Sequence, residues 1–182
     1  MTSYEKFSLI INGVTLTGVI FGIYFGIRQI KLLITQVNND YTWRQRQNAL
    51  GYSLTRSEQH MVARLNLEKT FGRFSTLPDA LSIKVIDEQV SKDSRVSTDI
   101  RVLLGHWENM ALSIHAKVSD EEVCYEMVSG SVNKAVRVFH NYIERARDKN
   151  PDIYKYLINL STYWREKKLE KPVKKFSDLT IS

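Results

Sequence analysis

The sequence contains little cysteine and little proline. Its 182 residues include a single cysteine, Cys124, and three prolines. One cysteine cannot form an intrachain disulfide, and it cannot build a thiolate zinc site. Because Cys124 lies in a segment with an amphipathic helical pattern, we expect it to be a small buried hydrophobic residue. Few prolines leave long helices uninterrupted. Hydrophobic residues make up 43% of the chain and charged residues 25%, which is typical of a folded protein rather than a disordered or fibrous one.

Sequence motifs for metals, cofactors and nucleophilic catalysis are also missing. The four histidines share no HExxH or His-x-x-x-His spacing, and the chain has no phosphate-binding glycine loop and no GxSxG elbow. We therefore predict no metal site and no cofactor.

Charge is missing from one long stretch near the N-terminus. Residues 7–27, FSLIINGVTLTGVIFGIYFGI, include no charged side chain, and these 21 residues span about 31 Å as a helix, close to the ~30 Å hydrocarbon core of a bilayer. The run is longer than the core of a typical signal peptide, and it ends in FGIRQIK rather than in a small-x-small cleavage site. The pattern predicts a transmembrane helix over 7–27, with a buried core helix as the alternative.

Basic residues flank this run unevenly. Only Lys6 precedes it, whereas four basic residues follow it: Arg28, Lys31, Arg44 and Arg46. The positive-inside rule therefore predicts that the short N-terminus, 1–6, lies outside and that the rest of the chain after the span is cytoplasmic.

Small and apolar residues recur with helical spacing in and after the run. Gly18, Gly22 and Gly26 repeat every fourth residue, a spacing that lets helices approach closely in lipid. An amphipathic or coiled-coil-like helix is predicted over 28–50, where an apolar stripe recurs in steps of three and four: Ile27, Ile30, Ile34, Val37 and Tyr41. We predict that the glycines and this stripe mediate homo-oligomer formation. The alternatives are that glycine is simply common in membrane spans and that the stripe lies on its own domain.

The following residues, 51–168, are expected to form a cytoplasmic helical domain. Residues 96–117 carry apolar side chains on one face and predict the central core helix. Pro78 and Pro151 are expected in the first turns of two further helices, and Gly130 is expected to interrupt another. No segment alternates as a strand does. The predicted fold class is all-α, with one N-terminal transmembrane helix that continues into an amphipathic helix, followed by a multi-helix bundle.

The end of the chain is basic, and residues 169–182 are read as a basic tail. Lysines near and in this tail are expected to contact an acidic lipid surface, together with Arg28 and Lys31. These lysines are Lys167, Lys168, Lys171, Lys174 and Lys175. Nucleic acid is the competing partner, and a solvated terminus is the third interpretation.

One stretch resembles a known family. LLGHWENMALSIHAKVSDEEVCYEMVSGSV, followed by FHNYIERAR and YLINLSTYW, resembles the bacterial domain of unknown function 4760 over about residues 97–166. The resemblance implies a helical domain behind an N-terminal anchor, in the inner (plasma) membrane of a bacterium. It supplies no catalytic residues.

Three ionisable residues of the predicted core helix are candidates for chemistry. Arg101 and His106 have a spacing that resembles the Arg-x-x-x-x-His signature of the all-helical HEPN ribonucleases, in which His106 would act as acid or base and Arg101 would stabilise phosphate charge. An Arg followed by His at a permitted spacing is expected about 0.8 times by chance in this chain. Glu108 borders the apolar face, where an ion pair with Arg145 or Arg147 is favoured over a role as a functional acid.

Together these patterns predict a single-pass membrane protein with a cytoplasmic helical interaction or sensory domain and no catalysis of its own. Its expected partners are the lipid bilayer, further copies of the chain and an unidentified protein. The alternative is a membrane-localised HEPN-like ribonuclease or defence effector.

Overall fold

The computed structural model describes residues 3–53, 57–77 and 80–170, with side chains for residues 3, 15–53, 57–77 and 80–167. These residues form seven α-helices and no strand, which confirms the all-α prediction. The helices are α1 (Ser3–Gly51), α2 (Glu58–Phe71), α3 (Ile83–Lys92), α4 (Arg95–His115), α5 (Glu121–Val138), α6 (His140–Lys149) and α7 (Lys155–Glu170). The chain divides into two compact units, one ending at Trp43 and the other beginning at Arg44.

Helix α1 is unbroken, and it is long and apolar enough over Thr15–Gly51 to cross a membrane. Fifteen large apolar side chains between Leu16 and Trp43 are 52–63% exposed. Because α1 contains no proline, nothing interrupts its ladder of backbone hydrogen bonds. The prediction of a long apolar N-terminal helix is confirmed. The side chains at the start of the predicted span, residues 7–14, lie outside the described ones.

Helix α4 is the centre of the second unit, where it packs against α2, α3, α5 and α7. Its buried residues follow the helical period along one face: Val96, Ile100, Leu103, Leu104, Trp107, Met110 and Ala111. The predicted core helix over 96–117 is therefore confirmed. The lone cysteine, Cys124 of α5, is fully buried in the same core.

The last turns of α1 belong to the second unit and are fastened to the loop between α4 and α5. The Gln45 Nε2 donates to the carbonyl oxygen of Lys117 at 2.6 Å, and the Asn48 Nδ2 donates to that of Val118 at 3.1 Å. In return, the backbone N–H of Asp120 donates to the Gln45 carbonyl oxygen at 3.1 Å. These contacts join the end of α1 to the start of α5.

Two predicted helix starts are wrong. Helix α3 begins later than expected from Pro78, because the Ser82 Oγ accepts the backbone N–H of Val85 at 3.3 Å and caps the helix there. Pro78 itself lies outside the described residues. Helix α7 begins after Pro151, because Tyr154 has a φ of 55°, which a right-handed helix does not allow.

The prediction that Gly130 interrupts a helix is wrong. Helix α5 runs through it. A glycine inside a helix costs about 1 kcal/mol relative to alanine, and the burial of neighbouring side chains such as Val128 and Val132 outweighs that cost. A Cβ atom at Gly130 would meet no atom within 4 Å, so packing within the chain does not require a glycine here.

Candidate functional site: a groove between helices α5 and α7

Helices α5 and α7 pack against each other and leave an open groove beside their contact. The groove has a volume of about 710 Å³. Residues of α5 between Tyr125 and Arg137 and residues of α7 between Ser161 and Arg165 form most of its lining. A groove of this size is typical of small-molecule sites.

Helical spacing puts the α5 lining on one face. The lining residues recur in pairs every four positions: Tyr125 and Glu126, Ser129 and Gly130, Asn133 and Lys134. The adjacent row of α5, Cys124, Val128 and Val132, is buried in the core. The core row fixes the rotation of α5, and this rotation presents the polar row to the groove.

The charges that line the groove are mostly positive. They belong to Lys134, Arg137, Arg165 and Glu126. Among the described residues neither Lys134 nor Arg165 has a carboxylate partner, and Arg165 reaches only Thr162 Oγ1 of its own helix, at 3.5 Å. Arg137 is fixed, because it donates to two carbonyl oxygens of the segment between α2 and α3, at 3.3 and 2.9 Å. The groove therefore presents unneutralised positive charge.

Two hydrogen bonds hold the floor of the groove in place. The buried Ser161 Oγ donates to Asn133 Oδ1 at 2.8 Å, which leaves the amide nitrogen of Asn133 to donate elsewhere. The fully buried Trp164 donates from Nε1 to Glu121 at 3.1 Å, and its ring meets Tyr125 edge-on at 5.6 Å. The polar floor is pre-organised by contacts within the chain.

Lys167 is engaged inside the second unit. Its Nζ donates to Glu121 at 2.8 Å and to Glu122 at 2.7 Å, and it lies 4.8 Å from the ring centre of Tyr125. Although burial lowers the pKa of Lys167, the two carboxylates raise it above its usual range. The structure thus gives Lys167 a role in packing, where the sequence suggested contact with lipid.

The comparison with protein families gives one match. A model described as a domain of unknown function (DUF4760) matches residues 9–164. The chain belongs to the DUF4760 family. No curated protein and no solved structure matches it. The match is longer than the resemblance over about 97–166, because it begins inside α1 and includes most of the groove.

The DUF4760 chain also brings together two histidines that the sequence did not connect. His60 of α2 and His106 of α4 stack with ring centres 4.1 Å apart, and Trp107 lies edge-on to His60 at 4.6 Å. Burial lowers the pKa of His60 to about 3, helped by the charges of His106 and Arg64. Burial also lowers the pKa of His106, against a hydrogen bond with the backbone of Tyr52. Both imidazoles are therefore neutral near pH 7.

The described residues hold no group of three or more His, Cys, Asp or Glu side chains arranged for a metal ion. The His60 and His106 pair has buried ring nitrogens without a partner among these residues. A pair supplies two ligands, whereas a structural zinc site takes four.

The structure does not bring Arg101 to His106. Arg101 is exposed, and its Nε donates to the Ser97 carbonyl oxygen at 3.4 Å. Residues five apart on a helix point about 140° away from each other. The charge of Arg101 acts on Tyr154, whereas His106 packs against His60. The HEPN-like arrangement stays a prediction.

Glu108 has partners other than those expected. Its Oε2 accepts the backbone N–H of Leu157 at 2.7 Å, and its Oε1 accepts that of Tyr156 at 3.3 Å. Arg145 and Arg147 approach other carboxylates. Glu108 thus reaches from α4 to cap the start of α7, where backbone N–H groups lack partners within the helix. The structure gives Glu108 a positioning role.

The other predicted residues lie on α1 or near the C-terminus. A Cβ at any of the three spaced glycines, Gly18, Gly22 and Gly26, would meet no atom within 4 Å. The stripe residues Ile30, Ile34 and Val37 are exposed, as are Arg28 and Lys31. The side chain of Lys168 and the whole of Lys171, Lys174, Lys175 and the rest of the basic tail lie outside the described residues.

Proposed function

We propose that this DUF4760 chain is a single-pass protein of a bacterial inner membrane, anchored by α1, and that its second unit is a cytoplasmic binding or sensory module. The exposure of α1 carries the proposal. Fifteen of its large apolar side chains are more than half exposed. Removing each from water would contribute about 1.5–3 kcal/mol. A lipid bilayer supplies that environment for the eight of them that lie in the predicted span, between Leu16 and Ile27.

Charge supports the proposed orientation. Basic residues cluster after the uncharged run, at Arg28, Lys31, Arg44 and Arg46. Such clusters stay on the cytoplasmic side of a membrane helix. The second unit begins within this cluster, at Arg44, and therefore lies in the cytoplasm.

The groove supports a binding role for the second unit. Unpaired cations, an amide donor and an aromatic floor converge there, contributed by Lys134, Arg165, Asn133 and Trp164. These residue types position a ligand, whereas covalent catalysis needs a nucleophile beside a base. The module is thus read as a receptor for a ligand.

Asp120 offers a route for coupling α1 to the groove. Its Oδ1 accepts the backbone N–H of Val123 and caps α5, while its Oδ2 lies 3.4 Å from Arg46 Nε on α1. Its own N–H donates to Gln45. A shift at the end of α1 would move the start of the helix that lines the groove.

The anchor is tested by washing membranes that contain the full chain with alkaline carbonate. We expect the chain to stay in the pellet and to dissolve only in detergent. Release by carbonate alone would overturn the anchor.

The orientation is tested in the same membranes with single-cysteine labels. Burial, followed by the charges of Asp120 and Glu121, raises the pKa of Cys124 to about 12, so the native thiol resists a maleimide. Ser3→Cys should react with a membrane-impermeant maleimide in cells whose outer membrane has been permeabilised. Lys149→Cys should react only after the inner membrane is permeabilised as well. The reverse pattern would overturn the orientation.

A further inference from the structure

Gly130 lines the groove and leaves its α5 wall without a side chain at that point. It lies near the middle of α5, and its backbone is ordinary, without a positive φ. A Cβ at this position would meet nothing within 4 Å. Alanine would favour the helix by about 1 kcal/mol. A side chain at this position would enter the groove, which the glycine leaves open.

The cations of the groove contrast with a neighbouring lysine. Lys167 pairs with both Glu121 and Glu122. Lys134 and Arg165 face the groove without a carboxylate partner among the described residues. The carboxylates of Glu121 and Glu122, at the start of α5, therefore pair with Lys167 and not with the cations of the groove. Glu126 also lines the groove, but Lys134, Arg137 and Arg165 outnumber it, and this excess of positive charge favours an anionic ligand.

We propose that the α5–α7 groove binds a phosphate-bearing small molecule. Phosphate offers several acceptor oxygens, and it matches the mixed donors of Lys134, Arg165 and the Asn133 amide. Tyr125, which is held against the buried Trp164, contacts the uncharged part of the ligand. The inference rests on the proposed function, because it names the ligand class of the binding module.

The test uses the purified full chain in dodecyl maltoside, a detergent without phosphate. Inorganic phosphate, pyrophosphate and ATP are titrated separately by calorimetry at constant ionic strength. We expect saturable binding of at least one of these probes. Lys134→Gln and Arg165→Gln should each weaken it about tenfold, since each removes a charged donor. The matched control is Lys84→Gln, an exposed lysine of α3 outside the groove, which should leave the Kd unchanged.

A second variant tests the space rather than the charge. Gly130→Leu fills the groove and should abolish binding, while its thermal unfolding without ligand reports whether the fold is kept. If this variant does not fold, the charge variants decide. The inference is overturned if no probe, including the lipid described next, binds saturably, or if Lys134→Gln and Arg165→Gln bind as Lys84→Gln does.

The source of the phosphate is resolved by one further probe, dihexanoylphosphatidylglycerol. Binding of the soluble phosphates indicates a metabolite, whereas binding of this lipid alone indicates a headgroup. Failure of the inference is distinct from failure of the proposed function. A chain that binds phosphate but washes off membranes loses its anchor, and a chain that stays in membranes but ignores every probe loses only the ligand.

Discussion

At the scale of single residues, the burial of the polar His60 side chain lowers the stability of the fold. It is 1% exposed, and neither ring nitrogen has a hydrogen-bond partner among the described residues. A buried polar group without a partner costs about 1–3 kcal/mol. Stacking on His106 and contact with Trp107 offset part of that cost only while the ring is neutral.

This burial predicts acid sensitivity. His60 has a pKa of about 3 in the folded chain, and an unfolded histidine titrates near 6.5. The lowered pKa means that stability is complete above about pH 6.5 and is lost as the pH falls towards 3, since only the unfolded state takes up the proton. At about pH 5 the loss from His60 alone is about 2 kcal/mol. Urea denaturation of the full chain in dodecyl maltoside at about pH 7 and about pH 5 measures this loss of stability.

A neutral replacement separates His60 from other titrating groups. His60→Leu keeps an apolar side chain in the core and removes the titration. We expect the free energy of unfolding of this variant to fall less between about pH 7 and pH 5, by about 2 kcal/mol, than that of the unchanged chain. Parallel pH curves for the two chains would contradict the assignment.

Single-residue predictions succeeded where the signal was local. The burial of Cys124 followed from its amphipathic segment, because a helix face is set by neighbours three and four positions away. The stack of His60 on His106 joins two helices that lie far apart in the sequence, so no spacing rule indicated it. Glu108 was correctly placed at the edge of the core, but its backbone partners depend on where α7 begins.

At the scale of helices, α7 depends on a carboxylate from α4. Glu108 satisfies two N–H groups at the start of α7. Glu108→Ala leaves both groups without this acceptor and should lower the free energy of unfolding by about 1–3 kcal/mol. Glu108→Gln keeps an acceptor but loses the charge, and its loss should be smaller, about 0.5–1 kcal/mol. Urea denaturation of the full chain measures both.

Glu166 provides the control on the same helix. Its side chain is exposed on α7. Glu166→Ala should change the free energy of unfolding by less than about 0.5 kcal/mol. If Glu108→Ala lowered the free energy of unfolding as little as Glu166→Ala does, the cap would not stabilise the fold. A functional role for Glu108 would then regain support.

The sequence predicted whole helices better than their ends. Helix α4 was found from its periodic apolar face, which many residues share. The starts of α3 and α7 depend on one residue each, Ser82 and Tyr154. The prolines Pro78 and Pro151 predicted earlier starts. The polar row of α5 has a visible four-residue period, so half of the groove was predictable. Its α7 half was not, because only packing brings Arg165 and Lys134 to the same groove.

At the scale of the whole molecule, the two units manage apolar surface differently. The second unit encloses its apolar side chains around α4. In the first unit they stay exposed along α1, including residues beyond the predicted span such as Ile30, Ile34 and Val37. In the proposed membrane arrangement a bilayer covers the span, and the stripe after it faces water or another protein. We propose that a second copy, with the same stripe at coiled-coil spacing, covers it.

This argument predicts that Ile34→Asn dissociates the full chain. Ile34 is 53% exposed, and burying it against a second copy contributes about 2 kcal/mol per helix. The dissociation constant in dodecyl maltoside should therefore rise about tenfold or more in sedimentation equilibrium. Leu32→Asn is the matched control, because Leu32 is 59% exposed but lies off the stripe.

The glycines extend the same test into the span. Because a Cβ at Gly22 meets no atom of its own chain, Gly22→Leu leaves the single helix undisturbed and acts only on a neighbouring helix. We expect it to weaken association, whereas Ile23→Leu, off the glycine row, should not. The proposal that a second copy covers the stripe would be overturned if the wild-type chain were monomeric. It would also be overturned if Ile34→Asn and Leu32→Asn had equal effects on association. The stripe would then be left for a different protein.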